Sequence, residues 1–489
     1  MDKPTIGGME KLPDLAGLTH AEKDALIHAL WELVTALRQE VLRLAAEVTR
    51  LQEEVAHLRW QLAKNSRNSS IPSSAEGLKK IKSMRKQGSR PPGGQPGHSG
   101  STLKQVAHPD HVVDHPLPEV CDVCGELLTG QATTEIRQVF DLPPVTMEVT
   151  EHRIHALRCT CGKLHRSEFP PEVTAPVQYG PGVKALAVYL TQHHMLPVAR
   201  TANVLADLYG VPISTGTVQA MIGEASERLA PTVARIADAV AQADVAGADE
   251  SGFRVAGKLN WLHTAVTDTL TWLGLHAKRG KAAFEDFGLL YRLKGTLVHD
   301  GWASYRELTC THALCNAHHL RELTFVHEEC GQAWAKRMID LLVCAHHETV
   351  AAHGQPLTAQ RIQAIRTHYE AILAEAAAAN PAKPASGRRG RTAQSVPFNL
   401  YRRLRDHADD VLRFTTDPRV PFSNNLAEQA IRMPKVKHKI AGCFRTTEGA
   451  LAFCTIRSYL ATLQKQHFDL FQSLIQVFKG NTPQPNFSG

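Results

Sequence analysis

No window of this sequence approaches the roughly 18 consecutive apolar residues that a membrane span requires. Its first residues, MDKPTIGGMEKLPD, contain no apolar stretch of the kind that directs secretion. These two absences predict a cytoplasmic protein without a membrane partner, in a compartment where thiols stay reduced. Its 10 cysteines are then better read as metal ligands or buried thiols than as disulfides. A strong charge imbalance is also missing: 55 Lys and Arg against 48 Asp and Glu leave only +7 over 489 residues. With 43% hydrophobic and 21% charged residues the chain is a folding one, and at roughly 150 residues per domain it predicts about three domains.

The small net charge is concentrated in one place. Residues 77–104 hold no acid, but contain Lys79, Lys80, Lys82, Arg85, Lys86, Arg90 and Lys104, which equal the whole surplus. The surrounding stretch, 66–109, is rich in Ser, Pro and Gly and reads as a linker. A solvated tether is one reading of it; an arm that follows a phosphate backbone is the better one.

Ahead of that linker, residues 21–65 carry the most regular pattern in the chain. Leu30, Leu37, Leu44, Leu51 and Leu58 recur every seven residues, with Val34, Val41, Val48 and Val55 four after each of the first four. Ile27 and Leu62 extend the series. β-Branched residues at a and Leu at d favour a parallel two-stranded coiled coil, so this segment predicts a homo-oligomer.

After the linker, Cys121 and Cys124 are followed at 34 residues' remove by Cys159 and Cys161, within a segment (110–170) that reads as short strands, QVFDLP and MEVTEHRIHALRC among them. Two close cysteine pairs supply the four soft ligands of a tetrahedral zinc, although His155 or His165 could replace one sulfur. Residues 181–242 turn helical, with a segment near 198–208, a turn at Gly210-Val211-Pro212 and a second helix from about Ser214, in the shape of a helix-turn-helix. From 243 to 479 strands alternate with helices, and an Ala-rich helical insertion occupies about 331–415.

Acidic residues close two of those strands. Asp249 and Glu250 end VAGADE, and Asp300 ends GTLVHD, where α/β sheets place their sites. A third acid, Glu428, falls on a helix expected to begin near Asn424 and stop before Pro434. Converging carboxylates of this kind would hold two magnesium ions for displacement at phosphorus. Taken singly, Asp300 could instead cap a turn, and Glu428 could pair with Arg432. Directly after Glu428, residues 429–447 hold no acid but carry Arg432, Lys435, Lys437, Lys439 and Arg445, a stretch suited to DNA phosphates. Cys315, His318 and His319 are secondary metal candidates.

The segments GGQPGHSGSTL, CDVC…CTCG, ADESGFRV, VHDGWASY, LCNAHHLREL and NNLAEQAIRMPKVKHKIAGCFRTTEGALAF together resemble the transposases of the insertion-sequence-66 family, in the same order along most of the chain. The resemblance implies an RNase H-like catalytic core with an Asp-Asp-Glu triad matching Asp249, Asp300 and Glu428. It implies Mg2+ or Mn2+ at that triad, and a zinc segment and helical DNA-binding regions before it. The implied chemistry is two-metal-ion cleavage at element ends, then strand transfer into target DNA. The implied partners are the terminal repeats, the target and possible accessory proteins of the same element. Ser251, Ser423 and Gln429 depart from the family's common Thr, Asp and Arg. Two other readings stand beside this one: a non-catalytic dimeric zinc-dependent DNA-binding regulator, and an RNase H-like nuclease without strand transfer. The fold class expected is therefore multidomain α/β, with coiled coil, zinc-binding β segment, helical DNA-binding region and RNase H-like domain in that order.

Overall fold

The computed structural model describes residues 15–65, 68, 103–129, 133–142, 147–384 and 392–488. The basic run Lys79, Lys80, Lys82, Arg85, Lys86 and Arg90 lies outside the described residues. The chain divides into two compact units, one of residues 1–82, 320–339 and 374–401, the other of 83–319, 340–373 and 402–489.

Helix α1 (His20–Ala63) is a single rod of 44 residues. It opens with a capping box, in which Thr19 and Glu22 satisfy each other's backbone amides. Its heptad stripe is exposed: Leu37 is 55% and Val41 63% accessible. Arg43–Glu40 and Arg50–Glu47 pairs stud its polar sides.

In the cysteine-rich segment regular structure is sparser than its alternation suggests. Among the described residues only β1 (Ala156–Arg158) and β2 (Leu164–Arg166) form a ladder there, an antiparallel hairpin. Residues 138–142 of QVFDLP are not in a strand, and Pro143 lies outside the described residues. Gln138 instead uses its side-chain amide to grip both the N–H and the C=O of Val106, at 2.7 and 2.8 Å. A side chain there takes the hydrogen bonds that a partner strand would otherwise supply.

Helices α2 (Pro181–Val188), α3 (Val198–Tyr209) and α4 (Thr215–Ala241) follow. Gly210, at φ +62°, ends α3 in a left-handed turn, and the Ser214 hydroxyl caps α4 by accepting from the Thr217 amide at 3.0 Å. These two helices begin and end within a residue or two of the segments read from the sequence. However, α4 runs 27 residues and buries Val218, Ile222, Leu229, Ile236 and Val240 along one face. These helices and the sheet that follows are built around one core, which also includes Ala246, Ala248, Leu297, Ile456 and Leu460.

The sheet has five strands in the order β5-β4-β3-β6-β7. β3 (Val245–Val255), β4 (Lys258–Val266) and β5 (Thr271–His276) form an antiparallel meander. After α5 (Lys281–Phe287), β6 (Thr296–His299) pairs parallel to β3, and β7 (Thr311–Leu314) parallel to β6. Among the described residues five helices then intervene: α6 (Asn316–Cys330), α7 (Ala333–Ala351), α8 (Ala359–Ala379), α9 (Val396–Asp406) and α10 (Ala408–Thr416). The chain ends with α11 (Asn425–Ala441), α12 (Thr447–Lys465) and α13 (Leu470–Phe478).

The β5 edge is closed by side chains of α12. Ser458 accepts from the Leu273 amide at 2.8 Å and Thr462 from the Thr271 amide at 3.0 Å, so edge groups that would template aggregation are spent internally. Helix α11 does not stop before Pro434; it continues to Ala441 with Pro434 buried beside Ile431. The ring forfeits one intrahelical hydrogen bond, and the apolar packing of that face offsets the loss. Among the described residues no helix is long and apolar enough to cross a membrane.

Candidate active site

Side chains alternate across a strand, so the run Val245–Glu250 sorts itself between two faces. Ala246, Ala248 and Glu250 are buried on the side of the main core. Gly247 and Asp249 belong to the opposite side, where α11 lies. A Cβ on Gly247 would meet Asn424 Oδ1 at 2.5 Å and Ala427 Cβ at 3.7 Å. Glycine is what lets the first turn of α11 sit this close to β3.

Two anchors fix that turn. The Asn424 side-chain amide donates to the Ala248 carbonyl at 2.7 Å, and the Asn424 backbone amide donates to Cys315 Sγ at 3.2 Å. Glu428 stands one turn further on, with its amide bonded to the Asn424 carbonyl at 3.2 Å. Asn424 was not among the candidates read from the sequence, because its two partners are 176 and 109 residues away.

Asp300 reaches the same neighbourhood through the parallel ladder. Gly247 is opposite Val298 in the β3–β6 register, so Asp249 and Asp300 each stand two residues beyond a paired position. One oxygen of Asp300 caps the following turn by accepting from the Trp302 amide at 2.8 Å, so capping and a functional position are combined. Gly301 takes φ +89°, which turns the chain sharply away.

Electrostatics tie these acids together. The Asp249 carboxyl is pushed up to about 7, first by burial, then by the negative charges of Glu250 and Asp300; Lys435 pulls the other way. Glu250 has a different life on the core face. It accepts from the Tyr305 hydroxyl and from Arg279 Nε at 2.9 Å, with the Arg279 guanidinium 3.9 Å from the Trp302 ring centroid and 4.9 Å from that of Trp261. Its hydrogen bonds are spent inside the fold, although burial still raises its carboxyl above the usual range. Of the two neighbouring acids, Asp249 is therefore the one placed beside α11.

Along α11, Glu428, Arg432, Lys435 and Lys439 recur at spacings of four, three and four, and so share one stripe. All three basic residues of that stripe are exposed, as is Arg445 beyond the helix. Lys437 is turned inward. Its ammonium donates to the Thr191 carbonyl at 3.2 Å and lies over the Phe453 ring, and burial lowers it to about 8. The structure thus leaves Lys437 to packing and its four basic neighbours to solvent.

Each cysteine pair occupies a tight turn. The Cys121 amide donates to the Glu126 carbonyl and the Gly125 amide to the Cys121 carbonyl, at 2.8 and 2.9 Å. In the β1–β2 turn the Cys159 amide donates to Lys163 and the Gly162 amide to Cys159, both at 2.8 Å. Gly125 and Gly162 supply the positive φ that both turns need. Backbone amides at Cys124 and Cys161, then the thiols of those residues, hold Cys121 and Cys159 below the usual thiol range. This is the donor set and polarity that zinc selects, although the two turns are not gathered around one point. Among the described residues one group of three or more His, Cys, Asp or Glu ligand atoms lies within 4.8 Å of one another, and it is Cys315, His318 and Glu428. By the same measure Asp249, Asp300 and Glu428 do not close on a single point. His319 points elsewhere: it is buried, with Nδ1 at 3.1 Å from Asn316 Oδ1.

Comparison with known families agrees with this layout. The zinc-finger binding domain of transposase IS66 matches residues 118–162, which include all four paired cysteines. A family of unknown function (DUF6444) matches residues 10–104. No curated protein matches the chain. The Transposase IS66 family itself matches residues 176–452, more than half of the sequence and a range that includes Asp249, Asp300 and Glu428. The chain therefore belongs to the IS66 family of transposases.

Proposed function

We propose that this transposase cuts and joins DNA strands at a site made of Asp249, Asp300 and Glu428 in an RNase H-like domain. The observation that carries the reading is the register of β3 and β6, which sets mid-strand Asp249 and Asp300, just past the end of β6, each two residues beyond the last parallel pair, on the face crossed by the first turn of α11. Acids on two parallel neighbours at the centre of a mixed five-stranded sheet support the RNase H-like assignment. The donors suit hard divalent cations: all are carboxylates, and the Asp249 carboxyl is raised first by burial and then by neighbouring negative charge, the second of which a cation would relieve. Magnesium ions bound there supply Lewis acidity for water activation and for stabilising the leaving oxygen. Asp249 and Asp300 would hold them from the sheet, and Glu428 from the helix. Arg432, Lys435, Lys439 and Arg445 would grip flanking phosphates.

Purified protein incubated with its element's terminal repeats, Mg2+ and a plasmid target tests this reading. Nicked ends joined to plasmid are expected. Nicked ends without joining would make the protein a nuclease, and binding without nicking would make it a regulator.

The remaining parts have roles in the same reaction. Helix α1 presents a continuous apolar stripe, and each Val or Leu side chain fully buried by a partner helix contributes about 1.5–3 kcal/mol. Pairing two element ends requires at least two protomers, and a second copy of α1 in a parallel coiled coil would unite them. Val41→Asp combined with Val48→Asp is expected to convert the protein to a monomer in sedimentation; an unchanged oligomer would remove α1 from assembly. The four paired cysteines would hold a structural zinc that orders residues 118–162. Cys159→Ser is expected to lower bound zinc by one ion per chain and to expose that segment to protease, and unaltered zinc content would count against the assignment. Element DNA and target DNA complete the proposed partners, with the basic arm at 77–104 following their phosphates.

A further inference from the structure

Cys315 is the residue at which β7 gives way to α6, and His318 follows in the first turn of that helix. The strand end and the helical turn bring a sulfur and an imidazole to one place, where α11 adds the Glu428 carboxylate. All three ligand atoms fall within 4.8 Å of one another, with His318 Nδ1 3.8 Å from Glu428 Oε1. Cys315 is only 1% exposed. Its sulfur accepts the Asn424 amide at 3.2 Å, the kind of N–H···S contact that stabilises a thiolate ligand. Without a cation the group is a protonated thiol, because burial pushes it up to about 11.

One sulfur from the β7–α6 junction, one nitrogen from α6 and one oxygen from α11 form a three-ligand set, one short of the four that zinc usually takes. Such a set selects against magnesium, which seeks oxygen alone, and in favour of zinc-like cations. We propose that Cys315, His318 and Glu428 bind a thiophilic divalent cation of the zinc class, and that its binding withdraws Glu428 from the magnesium centre. On binding, the Cys315 S–H bond is exchanged for a sulfur–metal bond and the proton leaves to solvent. Binding at this site stands on the cluster alone; the inhibitory consequence rests on the catalytic role proposed above for Glu428. The cation would act as a brake, since one carboxylate cannot complete both centres with full strength.

The test uses the full chain, dialysed against micromolar Zn2+ and assayed for bound metal. Cys315→Ser and His318→Gln are each expected to bind one zinc fewer per chain than wild type. Cys159→Ser should remove a different ion, so its loss adds to theirs. Circular dichroism identifies any variant that has not folded, and the conservative His318→Gln, on a partly exposed turn, serves if Cys315→Ser fails. Equal zinc in wild type and in folded His318→Gln would overturn the site. Micromolar Zn2+ is further expected to slow wild-type cleavage in Mg2+ about tenfold, and His318→Gln far less relative to its own zinc-free rate. Wild-type cleavage that ignores zinc, in protein that binds the extra ion, would overturn the competition. If no preparation cleaves with Mg2+ alone, the catalytic reading has failed, while the zinc count still decides the site.

Discussion

Asp300→Asn is expected to leave the protein folded and to slow strand cleavage by about a thousandfold, equivalent to about 4 kcal/mol of lost transition-state stabilisation. Asparagine keeps the shape of the side chain and an oxygen that can still accept from the Trp302 amide, so the turn after β6 survives. What disappears is one negative charge at the end of the central parallel pair. An Asn oxygen is a poor substitute where a hard cation must be held against its hydration shell. Single-turnover cleavage of an end-bearing DNA fragment in Mg2+ measures the effect, and the melting temperature checks the fold. A variant that cuts at the wild-type rate would show that Asp300 only caps its turn.

Asp249→Asn is expected to stabilise the metal-free protein while abolishing cleavage. The carboxyl sits at about 7 in the folded chain against 3.8 for an unperturbed group. Between those values the folded state holds a proton that the unfolded chain has already released, so wild-type stability falls as pH rises through this window. The loss is complete above about pH 7 and absent below about pH 4. Its size is on the order of 2–4 kcal/mol for a shift of this extent. Asparagine cannot ionise, so the variant should melt above wild type at pH 8 and level with it at pH 4. Mg2+ should recover the deficit in wild type alone, binding more weakly below pH 7 because it must displace the proton. Melting curves from pH 4 to 8, with and without Mg2+, decide the matter. A variant that melts below wild type at pH 8 would mean Asp249 is a structural partner rather than a carboxylate held in readiness.

Some features were legible in the sequence because their causes are local. The heptads of α1, the glycine that ends α3 and the serine that starts α4 each act within a turn or two of chain. The strand-end position of Asp300 was legible for a similar reason, since its apolar run ends where the acid begins, whereas Asp249 does not end its strand: β3 continues to Val255 because Ser251 to Val255 pair with β4. The choice between Asp249 and Glu250 was less accessible. It depends on which side of β3 receives α11, and that follows from Gly247 meeting a helix 177 residues later. The extended segment around Gln138 reads as a strand by alternation, but a side-chain amide replaced its ladder. Pro434 misled for the opposite reason: a local rule against proline in helices yielded to the packing of a whole helix face. Lys437 looked like its basic neighbours until the helical period separated it from their stripe.

The bare stripe of α1 also bears on dosage. A catalyst that must pair through such a helix, and is scarce enough to exist mainly as monomer, has an active concentration that follows the square of its abundance. If the proposed pairing holds, halving its synthesis would cut transposition about fourfold. A mobile element built this way falls nearly silent in a cell that makes little of the protein, and its spread becomes steeply sensitive to copy number.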